Sequence, residues 1–184
     1  MEISYKNKHA EIIDRCIGGD QKAFYEIYQL YSKAMFNICF RILGVQEVAE
    51  DVLQEAFVNA FQSIKSYQGK ASFGAWLKKI VVNKAISHLR KQHLDMVELD
   101  DRFDMKDDKD VDDLNLILKI ETIREAIQKL PNGFRVVFSL YLLEGYDHQE
   151  IAEILDISVS TSKSQYNRAK KKLRDILRKE VYYG

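Results

Sequence analysis

HQEIAEILDISVSTSKSQYNRAKKKLR, residues 148–174, reads as two short helices joined by a tight turn. Ile151, Ala152 and Leu155 give the first helix an apolar stripe. Asp156-Ile157-Ser158 then breaks the period, and Ser158 is a good N-cap residue for a second helix. On that second helix Ser162, Tyr166, Ala169, Leu173 and Ile176 recur at three- and four-residue steps and so share one inward face. The opposite face carries Ser160, Lys163, Ser164, Asn167, Arg168 and Lys171. A polar, basic face on the second helix of such a pair is what a major-groove reader needs, since base edges there present donors and acceptors for such groups. This reading is favoured over the plainer one, a solvated face on an ordinary helical hairpin.

Upstream, Leu116, Ile120, Ile123, Ile127 and Leu130 share one helical face, Pro131-Asn132-Gly133 ends that helix, and Phe134, Val137, Phe138, Tyr141 and Leu142 form the next, stopped near Gly145. Four helices around one small core are expected over residues 116–184. The N-terminal part, residues 1–93, reads as three or four helices. Phe24, Ile27, Tyr28, Tyr31, Met35, Ile38, Cys39 and Ile42 form a long stripe that stops at Gly44. Ala49, Val52, Leu53, Ala56, Phe57, Ala60, Phe61 and Ile64 form a second, followed by the polar loop KSYQGKA, 65–71. Ser72 can cap a third helix with Phe73, Trp76, Leu77, Ile80, Val81 and Leu89 as its apolar positions.

The fold class expected is therefore all-α, two small helical domains joined by a flexible acidic linker. That linker, 94–115, contains LDMVELDDRFDMKDDKDVDD, where periodicity disappears into aspartates, which are poor helix formers except near N-termini. Twenty such residues reach about 65–70 Å when extended and about 25 Å on average as a coil. Its carboxylates lack the glycine and terminal glutamate of an EF-hand loop, so a solvated linker is favoured over a calcium site. The net charge of zero hides a segregation: +4 over 1–93, −7 over 94–115 and +3 over 116–184. Two basic lobes flank an acidic strip, so neutrality overall does not exclude a nucleic-acid partner.

The single proline and 8 glycines suit an all-helical protein. The two cysteines, Cys16 and Cys39, fall at apolar positions and read as buried thiols in a reducing cytosol rather than as a disulfide framework. No segment approaches the roughly 20 apolar residues of a membrane span, and MEISYKNKHAE has no apolar signal core, so a soluble, cytoplasmic protein is expected. The four histidines, at 9, 88, 93 and 148, are scattered without metal-ligand spacing, which disfavours an enzyme; His148-Gln149-Glu150 reads as helix capping and solvation.

Two sets of motifs coincide in a recognisable order. AEDVLQEAFVNAF (49–61) followed by FGAWLKKIVVNKAISHLRK (73–91) resembles conserved region 2 of bacterial sigma factors. LPNGFRVVFSLYLLEGYDHQEIAEILDISVSTSKSQYNRAKKKL (130–173) resembles region 4. With only a linker between them, the chain is similar to the extracytoplasmic-function (group IV) sigma factors. That resemblance implies a transcription initiation factor, not an enzyme, that needs no cofactor or metal. Its partners would be core RNA polymerase, promoter DNA and an anti-sigma factor that masks both lobes; it would not insert into a membrane and would be a monomer when free.

The resemblance also implies roles for individual residues. Asp51, Gln54, Glu55 and Asn59 become candidates for docking on the polymerase, and the acidic face around them (Glu47, Glu50) would favour a basic partner and repel DNA. Ser66, Tyr67, Gln68 and Lys70, with Trp76, Lys79, Asn83 and Lys84, become candidates for capture of the −10 element. A loop of that composition can surround an everted base and offer hydrogen bonds, and the lysines can meet phosphates. Trp76 stands between two readings, core packing and a wedge at the melting edge, with its spacing favouring the core. Ser160, Lys163, Ser164, Asn167, Arg168 and Lys171 become candidates for −35 DNA binding, with Lys163, Ser164, Asn167 and Arg168 at the family's reading positions, while Lys170, Lys171, Lys172 and Arg174 fit phosphate contacts that carry no sequence information. Lys78, Ser162 and Gln165 depart from common family patterns. The alternative is a polymerase-independent operator binder, but residues 1–93 offer no ligand-pocket or phosphoacceptor signature; co-purification with core polymerase separates the two.

Overall fold

The computed structural model describes residues 2–91 and 120–183, with side chains over 10–91 and 120–179. It divides into two compact units, Met1–Gln92 and His93–Gly184. Every regular element among the described residues is helical. The acidic segment 94–115, with its linker and calcium-loop readings, and Leu116 lie outside the described residues.

The first unit contains α1 (Glu2–Ile17), α2 (Gln21–Leu43), α3 (Gln46–Gln62), a 3₁₀ turn (Ile64–Ser66) and α4 (Phe73–Lys91). Its boundaries have chemical causes. Asp20 caps α2 by accepting from the Lys22 amide at 2.8 Å, and Gly44 ends it in the left-handed region at φ 78°, donating its N–H to the Phe40 carbonyl at 2.8 Å. Ser72 accepts from the Ala75 amide at 3.3 Å where α4 begins. At the α1–α2 turn, Arg15 reaches both Asp20 (2.7 Å) and Glu26 (3.0 Å), and holds the Asp20 carboxyl below the usual carboxylate range.

The helices α2, α3 and α4 pack on one another, and α1 packs on α2. Ile27, Ile42, Val52, Leu77, Val81 and Val82 are completely enclosed. Burying each such side chain is worth about 1.5–3 kcal/mol, several times the few tenths that a β-branched residue costs in a helix. Packing therefore makes the IVV run of α4 helical against its own weak propensity. Cys16 and Cys39 are buried and free, and burial pushes their thiols up to about 11 and about 12. Tyr28 departs from the expected inward stripe: it is 37% exposed, resting edge-on against Phe57 at the rim of the α2–α3 contact.

The second unit contains α5 (Ile120–Gln128), α6 (Asn132–Phe138), a π-helical segment (Ser139–Leu143), α7 (His148–Leu155) and α8 (Val159–Tyr183). Ile127, Leu130, Phe138 and Ala169 form one cluster of its core, with Ile123, Phe134, Tyr166, Leu173 and Ile176 packed around them, and Val136, Val137, Leu140 and Ile151 are fully buried as well. Three expectations change here. Ile120 is 64% exposed rather than part of the inward stripe. Asn132 and Gly133 open α6 rather than ending α5, with Pro131 at the N-cap. The stripe from Phe134 also fails to continue inward: the Glu144 amide donates to the Ser139 carbonyl, five residues back, at 3.0 Å. That wider turn rotates the following side chains, so Leu142 (55%) and Leu143 (44%) face solvent.

Asp147 begins α7 with a capping box: its carboxylate accepts from the Gln149 and Glu150 amides, and Glu150 accepts from the Asp147 amide at 2.8 Å. Asp147→Ala should cost about 1 kcal/mol and fray the start of α7. Faster amide exchange at Gln149 and Glu150 than at Ile151 onward is the expected readout; wild-type exchange there would contradict the assignment.

Candidate nucleic-acid interface

In the second unit the turn between α7 and α8 is set by Asp156, which adopts the left-handed conformation (φ 57°) usually left to glycine or asparagine. Ser158 then accepts from the Thr161 amide at 3.0 Å, as an N-cap. Ser160, Lys163, Asn167 and Lys171 are exposed and Ser164 and Arg168 half-buried, all on one side of α8. The eleven steps from Ser160 to Lys171 rise about 16 Å along the helix axis, enough to lie along one groove. The Ser160 hydroxyl is held 2.8 Å from Ser158 Oγ. Lys170 stands over the Tyr166 ring at 5.0 Å, which orients it away from the others.

The underside of this face is fixed tightly. Ser162 and Ala169 are fully buried and Gln165 is 3% exposed. Gln165 turns inward against Gly133, where a Cβ would stand 3.9 Å from its Oε1. Gln165 is therefore not part of the outward row. His148 Nδ1 lies 2.9 Å from Ser162 Oγ, and its ring stacks on Tyr141 at 4.4 Å. This corrects the solvation reading of His148: it pins α7 and the π segment to α8. Burial, and then nearby Lys163, keep its pKa below the ordinary histidine value, opposed by Asp147.

In the first unit Gln68, Lys70, Lys79 and Asn83 are exposed, and Trp76 is half-buried. The Trp76 ring packs on Tyr67 (5.5 Å) and Phe73 (5.3 Å), and the residue as a whole is half-buried. Ser66 Oγ donates to the Ser63 carbonyl at 2.7 Å, and Tyr67 Oη to the Ala71 carbonyl at 2.7 Å.

Asp51, Gln54, Glu55 and Asn59 are all exposed on α3, together with Val58 at 53%. One contact joins the two candidate groups of this unit: Lys84 Nζ lies 2.8 Å from Glu55 Oε2 and holds that carboxyl below the usual range. Lys84 is thus tied to the acidic face rather than standing among the other lysines. Beside Gln54 a groove of about 340 Å³ runs between α2 and α3, lined by Tyr28, Ser32, Lys33, Phe36, Glu50 and Leu53. Sequence reasoning missed it, because Tyr28 follows the core spacing and Phe36 lies outside that stripe; adjacent polar Ser32 and Lys33 were the available signal.

Residues 27–94 match the family model described as Sigma-70 region 2, and residues 120–173 the one described as Sigma-70, region 4. The chain is 33% identical over 189 residues to the ECF RNA polymerase sigma factor SigW of Bacillus subtilis (strain 168), covering 97% of this chain and 99% of that protein. It is 29% identical over 183 residues to the RNA polymerase sigma-H factor of Pseudomonas aeruginosa, covering 91% and 95%. Among solved structures, the sigma factor RpoE from Bartonella quintana, in its co-crystal structure with the anti-sigma factor NepR, has a similar fold. The match has a TM-score of 0.56 at 22% identity and covers 85% of this chain and 98% of that one.

Proposed function

The chain belongs to the extracytoplasmic-function sigma factors and directs RNA polymerase to promoters through regions 2 and 4, and we propose how its residues divide that work. It is not an enzyme; the polymerase makes the phosphodiester bonds. Residues 116–184 recognise the −35 element with Ser160, Lys163, Ser164, Asn167, Arg168 and Lys171. The observation that carries this is the contrast across α8: an outward row of hydroxyl, amide and basic groups over an underside buried at Ser162, Gln165 and Ala169. A reader so anchored presents its contacts without being ordered on binding.

Residues 1–93 dock on core polymerase and capture the −10 element, with 94–115 as the tether between the two domains. Opening DNA costs about 1.4 kcal/mol per stacked step, so Ser66, Gln68, Lys70, Lys79 and Asn83 must offer replacement contacts to separated strands. Asp51, Gln54, Glu55 and Asn59 meet the polymerase, and the α2–α3 groove beside them supplies apolar area. An anti-sigma factor covering these faces is the proposed regulator, as NepR accompanies RpoE of Bartonella quintana. The work is cytoplasmic, and no described helix is long and apolar enough to cross a membrane.

Two substitutions test the reading face. Arg168→Ala should weaken binding at particular bases, by about 1–3 kcal/mol on the preferred sequence and little on others. Lys172→Ala should weaken all sequences alike and flatten the salt dependence by about one charge. Anisotropy titrations of duplex DNA at several salt concentrations separate the two; equal losses on every sequence from both variants would contradict the assignment.

A further inference from the structure

Residues 67–71 form a closed loop, not an open one. Tyr67 leaves the 3₁₀ turn, and its hydroxyl crosses the loop to donate to the Ala71 carbonyl at 2.7 Å, just ahead of α4. Its half-buried ring is held separately, edge-on to Phe73 (5.4 Å, 85°) and against Trp76 (5.5 Å). Phe73 in turn rests on Tyr31 at 5.5 Å, so the anchor reaches back to α2. Between the two ends of this latch, Gln68, Gly69 and Lys70 project into solvent. Gly69 turns the tip at φ +69°, and nothing lies within 4 Å of where its Cβ would be.

From this geometry we infer that Tyr67 is a positioning residue for −10 recognition: its hydroxyl holds the loop tip in the shape that receives an unpaired base, and its ring does not stack on that base. The inference rests on the reading of this loop as the −10 receiver. Stacking on a base would require the ring to give up Phe73 and Trp76, and the hydroxyl to give up Ala71. Left in place, it presents the Gln68 carboxamide, the Lys70 ammonium and the tip's backbone amides as a preformed set. A loop ordered beforehand loses less freedom on binding, and that advantage falls mainly on the base that fits.

Tyr67→Phe separates the two ties, since it keeps the ring packing and removes only the hydroxyl. The test uses holoenzyme assembled from the full chain and bacterial core polymerase. The probes are fork-junction DNAs whose unpaired non-template strand is varied base by base through the −10 region. Tyr67→Phe should lower discrimination at one unpaired position by about three- to tenfold, the loss expected for one hydrogen bond. Affinity for core and for duplex ending upstream of the −10 element should stay at the wild-type level. Gly69→Ala, which strains the tip while leaving the latch, should erode discrimination at the same position. Wild-type discrimination in Tyr67→Phe would overturn the latch, most clearly if Gly69→Ala still lost it. A uniform loss on every base and on upstream duplex would overturn it as well, as a general folding defect. A wild-type holoenzyme with no base preference at any unpaired position would remove the −10 reading of the loop, and the latch with it.

Discussion

Changing Asp51 and Glu55 together to lysine should weaken binding to core RNA polymerase about 100-fold or more, because like charges brought into contact cost several kcal/mol. Both carboxylates are exposed on the same side of α3, one helical turn apart, and neither supports the core, whose α3 contribution comes from Ala49, Val52, Leu53, Ala56, Phe57 and Ala60. The fold should therefore survive the exchange. Glu55 also leaves Lys84 without its 2.8 Å partner, but an exposed pair of this kind is worth about 0–1 kcal/mol and cannot produce such an effect alone. Lys84→Ala measured in parallel isolates that part. Asp51→Asn with Glu55→Gln, which removes attraction without adding repulsion, should fall between wild type and the double reversal. Titration of the full chain against core, with sequence-dependent −35 duplex binding as the control, decides the matter. Undiminished affinity for core would remove α3 from the docking surface.

The second large effect concerns stability. Arg135→Ala should destabilise the second unit by about 3 kcal/mol, the scale for removing a charged hydrogen-bond donor from a buried site. Arg135 is only 5% exposed, and its guanidinium donates to the carbonyls of Gln128 and Leu130 (both 3.4 Å) and to Asn132 Oδ1 (2.9 Å). It thus closes the C-terminal end of α5 and ties it to the start of α6. Burial lowers its pKa from the ordinary arginine value, yet a guanidinium remains charged at neutral pH. Arg135→Lys should recover only part of the loss, since one ammonium cannot span three acceptors on two segments. Hydrogen exchange in the full chain would show the change as faster exchange across 120–138 and 159–176, with 10–91 unaffected. Wild-type protection in the alanine variant would contradict this role.

Much of this fold is legible in the residues because its helices are long and strongly periodic. The stripe from Ile27 to Ile42 stops at Gly44 because a left-handed cap there needs glycine, and Ser158 and Ser72 announce the starts of α8 and α4. The outward row on α8 follows from the same period that buries Ser162 and Ala169. What periodicity does not carry is any departure from it. The π turn at Ser139–Leu143 has no proline or glycine to signal it, so Leu142 keeps the spacing of a core residue yet faces solvent. Arg135 and Gln165 look like surface residues by composition, and only three-dimensional packing encloses them. The capping box of Asp147 and Glu150 was readable from its spacing, whereas the pairing of His148 with Ser162 links residues 14 apart and leaves no local trace. For the same reason Glu55 and Lys84 fell to different candidate surfaces, although they touch.

Whether this chain confers start-site choice on polymerase is tested most directly by multi-round transcription with purified bacterial core enzyme and a randomised promoter library. The account predicts that adding the chain enriches transcripts beginning at a fixed distance from a shared pair of −35 and −10 sequences, and that core alone does not. It also predicts that Arg168→Ala redistributes this enrichment at −35 positions only. Transcript start sites unchanged from those of core alone, with the folded chain present in excess, would contradict it.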